Sequence, residues 1–147
     1  MKTIITLAVI VFIVSQISFA ETQKHTVTTG FNKEKQTEQN LQDRIMDSFM
    51  GSFETQDNSK LNSIIDEITL MYDQSQNSLF LYWKGYALYY NSIFYLKNGD
   101  KETAEKELNK AIESLESIDV KNSEDYALLS MLYNFSCQFI GFPKIIQ

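Results

Sequence analysis

An all-α fold is what this sequence predicts, and three observations carry the prediction. Apolar residues recur at the helical period in one segment after another. No stretch alternates apolar and polar residues in the strand period over a useful length, and the breaks between segments fall on capping and turn residues. The chain has 147 residues, 44% of them hydrophobic and 22% charged, with one proline and five glycines. That is enough for one core and too little for two. It also sets aside collagen-like, low-complexity and disulfide-scaffold classes.

The first twenty residues read as an address. Met1-Lys2-Thr3 is a short basic start, the run from Ile4 to Val14 is apolar, and Ser18-Phe19-Ala20 puts small residues one and three places before a cut ahead of Glu21. This is the plan of a secretory signal peptide over residues 1–20. A retained membrane anchor is the alternative, but the apolar run is short of the ~20 residues that a span needs. No cysteine follows it, which excludes a lipid-anchored lipoprotein. Residues 21–39 are polar, with Val27 and Phe31 as the strongly apolar members, and read as a flexible leader.

Helical periodicity then begins. Leu41, Ile45, Phe49 and Phe53 recur every four residues, and Thr55 to Asn58 ends the segment. Ser59 is the expected cap of a second helix with the stripe Leu61, Ile64, Ile65, Ile68, Met71 and Tyr72. From Leu79 to Leu96 nearly every face is apolar or aromatic, so this helix is enclosed by neighbours or by lipid. Lys84, Asn91 and the many phenols argue against lipid, which makes it the central helix. Lys97-Asn98-Gly99-Asp100 is a turn in which Gly99 takes the left-handed cap and Asp100 starts the next helix. That helix turns Ala104, Leu108, Ala111, Ile112, Leu115 and Ile118 inward and Glu102, Glu105, Lys106, Glu107, Lys110 and Glu113 to water. A last helix is expected from about Glu124 to Ile140, capped by Asn122 or Ser123 and closed by Gly141 and Pro143.

The offsets of large and small residues within residues 85–118 are specific. Leu88, Asn91, Ser92 and Tyr95 on one helix, the Gly99-Asp100 turn, and Ala104, Leu108 and Ala111 on the next form a set. Small Ser92, Ala104 and Ala111 let the two helices approach, while Tyr95 and Leu108 fill the space beside the crossing. The set resembles a tetratricopeptide repeat, a helix pair of about 34 residues. Asn91, where that motif is apolar, and the lack of a closing proline are departures. Tyr126, Leu129, Ser130 and Tyr133 repeat the first-helix spacing and mark a partial repeat over 123–141. The expected architecture is a tetratricopeptide-like array of about five helices over residues 40–141, followed by an apolar tail over 142–147.

Little catalytic chemistry is available. The single histidine, His25, lies in the polar leader, and the single cysteine, Cys137, permits no internal disulfide and reads as a small buried hydrophobe. Metal clusters of His and Cys are excluded by count, no phosphate-binding glycine loop is present, and no cofactor is expected. The net charge of −6 argues against nucleic acid. Carboxylate pairs such as Asp66-Glu67 and Glu124-Asp125 fall on solvated faces or helix starts.

The resemblance therefore implies a secreted or periplasmic scaffold that binds another polypeptide and does no chemistry. A small carboxylate-dependent enzyme, or an enzyme subunit of the cell envelope, is the alternative. Most of the aromatic block is core, but Trp83, Tyr86 and Tyr90 are candidates for ligand contact where they reach the concave side. Residues 128–146 are apolar beyond what a closing helix needs. They are expected to dock a protein partner or a second copy, unless the chain is a shortened form of a longer repeat protein.

Overall fold

The computed structural model describes residues 40–139. The expected signal peptide, leader and tail lie outside the described residues. Five helices account for most of what is described: α1 (residues 40–55), α2 (Ser59–Ser75), α3 (Leu79–Lys97), α4 (Lys101–Glu116) and α5 (Ser123–Ser136). No strand occurs among the described residues, and the fold is all-α.

Each short turn reverses the chain. Three of them pass through one residue in the left-handed region: Gln56 (φ 55°), Gln76 (φ 53°) and Gly99 (φ 84°). Glycine takes that conformation at no steric cost, whereas the two glutamines accept it against their Cβ. Asp100 caps α4 by accepting the Thr103 N–H at 3.0 Å. Asn122 and Asp125 form a reciprocal capping box on α5, each side chain accepting from the other's backbone N–H at 3.1 and 2.8 Å. Ser59 is not the cap of α2. Asn58 precedes the helix, and the Asp57 carboxylate accepts both the N–H (2.9 Å) and the hydroxyl (2.8 Å) of Ser59. At the other end, α5 stops at Ser136 and gives way to a turn over residues 137–139, short of the expected Ile140.

The odd-numbered helices run side by side in one direction. The Tyr86 hydroxyl reaches Met46 Sδ, Phe49 meets the Tyr90 ring and Phe53 meets Phe94, so α1 and α3 positions rise together. On the other flank Tyr89 of α3 packs edge-on against Phe135 of α5 at 5.2 Å. Helices α2 and α4 return behind this layer. Arg44 of α1 and Glu67 of α2 clasp each other through two hydrogen bonds between the guanidinium and the carboxylate. Central α3 therefore touches every other helix.

It packs more closely on α4 than on α2 or α5, for the reason visible in the small residues. Ser92, Ala104 and Ala111 are fully buried, and the Ser92 hydroxyl donates to the Ala104 carbonyl at 2.7 Å. At the other end of the crossing Gly85 lies so near α4 that a Cβ there would sit 3.1 Å from Leu115 Cδ2. Leu108 and Leu115, both at 0% exposure, fill the seam. Burial of each is worth about 1.5–3 kcal/mol.

Candidate functional site

The layer of odd helices presents a row of rings that is half covered. Tyr82, Tyr86, Tyr89 and Tyr90 are each partly buried. Tyr82 lies parallel to Tyr86 with centroids 6.5 Å apart, Tyr86 stands edge-on to Tyr90 at 5.0 Å, and Tyr90 to Tyr89 at 5.2 Å. The contacts continue through Phe135 to Phe139, over which Lys101 places its ammonium at 5.9 Å. The row thus crosses from α3 to α5, and on the other side Phe49 carries it to α1. Burial and a hydrogen bond to the Tyr86 hydroxyl push the Tyr90 phenol up to about 12, so it is a neutral hydroxyl at any physiological pH. The Tyr86 and Tyr90 hydroxyls stand 3.4 Å apart.

Of the three rings expected at a ligand, Tyr86 and Tyr90 lie in this row. Trp83 does not reach the surface: at 7% exposure it is a core residue, one helical position turned toward α1. Its Nε1 has no hydrogen-bond acceptor among the described residues. The partly buried Tyr82 takes its place in the row. Tyr82, Tyr89 and Phe135 were not singled out from the sequence, although positions 82, 86, 89 and 93 share one helical face.

A second concavity lies behind α3, between α2 and α4. It encloses about 570 Å³ and is lined by Leu81, Lys84, Leu88, Asn91 and Tyr95 of α3, with residues such as Asp66, Thr69, Glu107 and Glu113 on its walls. Its floor is a closed hydrogen-bond network. Asn91, 2% exposed, accepts from Asn58 Nδ2 (2.8 Å) and donates to Asn62 Oδ1 (3.1 Å) and Glu107 Oε2 (2.9 Å). The other carboxylate oxygen of Glu107 takes Lys110 at 2.7 Å. Glu107 is therefore buried at 9% exposure and does not face water as expected. Asn91 replaces an apolar contact by a polar joint among three helices, each group finding a partner as buried polar atoms require.

Helix α5 ends the described array with one stripe uncovered. Tyr126 is 58% and Tyr133 46% exposed, and Ser130 is exposed between them. These positions match Leu88, Ser92 and Tyr95, which α4 covers on α3. Ser130 and Tyr133, expected to pack as their counterparts do, face solvent because no helix follows α5 among the described residues. The Tyr133 hydroxyl donates to Glu116, which holds its proton more firmly than usual. Cys137 belongs to this stripe and is exposed, not buried as expected. Residues 140–146 of the expected docking segment lie outside the described residues.

One member of each carboxylate pair has a structural partner, while Asp66 and Glu124 are exposed. Glu67 is bound by Arg44, whose hydrogen bonds pull its carboxyl below the usual range, and Asp125 is buried in the α5 capping box. No cluster of three or more His, Cys, Asp or Glu suited to a metal occurs among the described residues. None of the described helices is long and apolar enough to cross a membrane.

Fold and surfaces together define an all-helical array of hairpins, compatible with a helical repeat. Comparison with protein-family models, with curated proteins and with solved structures finds no match.

Proposed function

We propose that this chain is an exported, non-enzymatic scaffold of tetratricopeptide-like helix pairs that binds an extended segment of another polypeptide. The binding face is the one formed by α1, α3 and α5, the inner side of such an array. One observation carries the reading: the half-exposed row Tyr82, Tyr86, Tyr89 and Phe135, held in place by ring contacts on both flanks. Rings already fixed by neighbours offer apolar area at little further entropic cost, and the phenol hydroxyls give a peptide backbone donors and acceptors. Export rests on the first twenty residues. Selection of a random peptide library on the immobilised chain tests the reading. Enriched peptides should lose about tenfold or more in affinity on Tyr82→Ala or Tyr86→Ala, as hot-spot aromatics do. Failure to enrich any peptide, or equal binding by both variants with their helicity intact, contradicts it.

A further inference from the structure

The charges beside the aromatic row select among polypeptide partners. On α1, Asp43, Asp47, Met50 and Glu54 recur at the helical spacing on the exposed flank next to Met46 and Phe53, which pack toward α3. Asp43, Asp47, Met50 and Glu54 are all exposed, and none of the three carboxylates has an ion-pair partner among the described residues. The neighbouring base Arg44 is turned away and committed to Glu67. On the α5 side Glu124 is exposed, and Met131 and Phe135 supply apolar surface between the rims. Of the other bases, Lys84 of α3 lines the concavity behind the layer, Lys97 ends α3, Lys101 of α4 stands over the Phe139 ring, and Lys60 of α2 shares a small cavity with Asp47 and Glu54 without pairing with either. The middle of the face is thus a strip of neutral phenol rings with unpaired carboxylates along the α1 side.

We infer that the partner is a basic linear segment, with lysine or arginine interleaved among apolar residues, lying across α1, α3 and α5. The inference rests on the peptide-binding reading above and adds the chemistry of the peptide. A cation over the face of a tyrosine is attracted by the ring quadrupole, and a second cation one strand repeat away meets the carboxylate rim. Helices pack about 8–10 Å apart, so crossing three of them takes about six extended residues at about 3.3 Å each. That length holds about three side chains on the side facing the helices, enough for an apolar anchor between two cations.

The probe is a synthetic peptide of about eight residues with arginine, leucine and serine in alternation, titrated into the full chain by calorimetry. Control peptides replace arginine by glutamate or by serine. The arginine peptide should bind, weaken as salt rises toward about 0.3 M, and weaken about tenfold on the surface triple change Asp43→Asn, Asp47→Asn, Glu54→Gln. A triple change that removes the same charge elsewhere, Asp66→Asn, Glu105→Gln, Glu113→Gln, should leave its affinity unchanged. Equal weakening by both triples means attraction by net charge alone and overturns the inference. Equal binding of the serine peptide, lost on Tyr86→Ala, overturns the charge selection while leaving the peptide-binding face standing. If no peptide of any composition binds, the underlying reading falls with it.

Discussion

Asn91 gives the sharpest test of how the helices are joined. Replacing it by alanine removes two neutral hydrogen bonds, to Asn58 and Asn62, and one to the Glu107 carboxylate. Neutral bonds are worth about 0.5–1.5 kcal/mol each and bonds to a charged group about 1.5–3 kcal/mol. Asn58 and Asn62 are half-buried and recover part of their loss from water, whereas Glu107 is buried and does not. The expected cost of Asn91→Ala is therefore about 2–4 kcal/mol, most of it from the Glu107 carboxylate, which is left with Lys110 alone. Urea unfolding at 25 °C measures it as a shift of about 1–3 M in the midpoint, for a slope typical of a domain this size. A double-mutant cycle with Glu107→Ala should give a coupling of about 1.5–3 kcal/mol, because either change alone removes the shared bond. Additive losses, or a cost for Asn91→Ala below about 1 kcal/mol, would refute the polar joint and leave Asn91 a tolerated misfit.

Further outcomes follow from the same geometry. Ala104→Leu overpacks the α3–α4 crossing, where Ala104 has no exposed surface, and should cost about 1–3 kcal/mol in the same assay; no change would mean that the crossing yields. Glu67 titrates in the folded chain below its unfolded value of about 4.3, so the stability it adds is present above that pH and disappears as pH falls through the folded value. Acid unfolding of Glu67→Gln should be less steep there, by about 1 kcal/mol or less because the pair is 39% exposed on each side, and an unchanged profile would contradict the pairing. Protein recovered from its native compartment should begin at Glu21; Met1 or Lys2 at the start would remove the signal-peptide reading. The open α5 stripe should carry a second copy, so sedimentation should show association that grows with micromolar concentration and is lost on Tyr126→Glu with Tyr133→Glu. A monomer throughout would leave the stripe without that role.

What was legible in the sequence depended on how local the cause was. Helix existence and the seam at Ser92, Ala104 and Leu108 followed from periodicity and from side-chain size at fixed offsets, both of which act within a few turns of chain. Gly99 and Asp100 were readable for the same reason. The left-handed turns at Gln56 and Gln76 were not, since glutamine carries no preference for that conformation. The cap at Ser59 failed because the helix begins one residue earlier, after Asn58, and the Ser59 hydroxyl donates to the Asp57 carboxylate instead of accepting from the first turn. Glu107 reads as a solvent residue on its own helix; Asn91 arriving from α3 and Lys110 one turn on together satisfy its buried carboxylate. Trp83 and Tyr82 are adjacent in sequence and opposite in fate, because a 100° step decides which ring faces α1 and which faces solvent. At α5 Ser130 and Tyr133 repeat the spacing of Ser92 and Tyr95 yet are exposed, because spacing cannot say whether a helix covers them.

The α1–α3–α5 face, and not the polar concavity behind it, is the surface proposed to take a polypeptide. Titrating ¹⁵N-labelled chain with a selected peptide and following amide chemical shifts tests this residue by residue. The largest shifts should gather on Met46, Tyr82, Tyr86, Tyr89 and Phe135. Shifts gathered instead on Asn62, Asp66, Lys84 and Glu113 would place the ligand in the concavity between α2 and α4 and contradict that proposal.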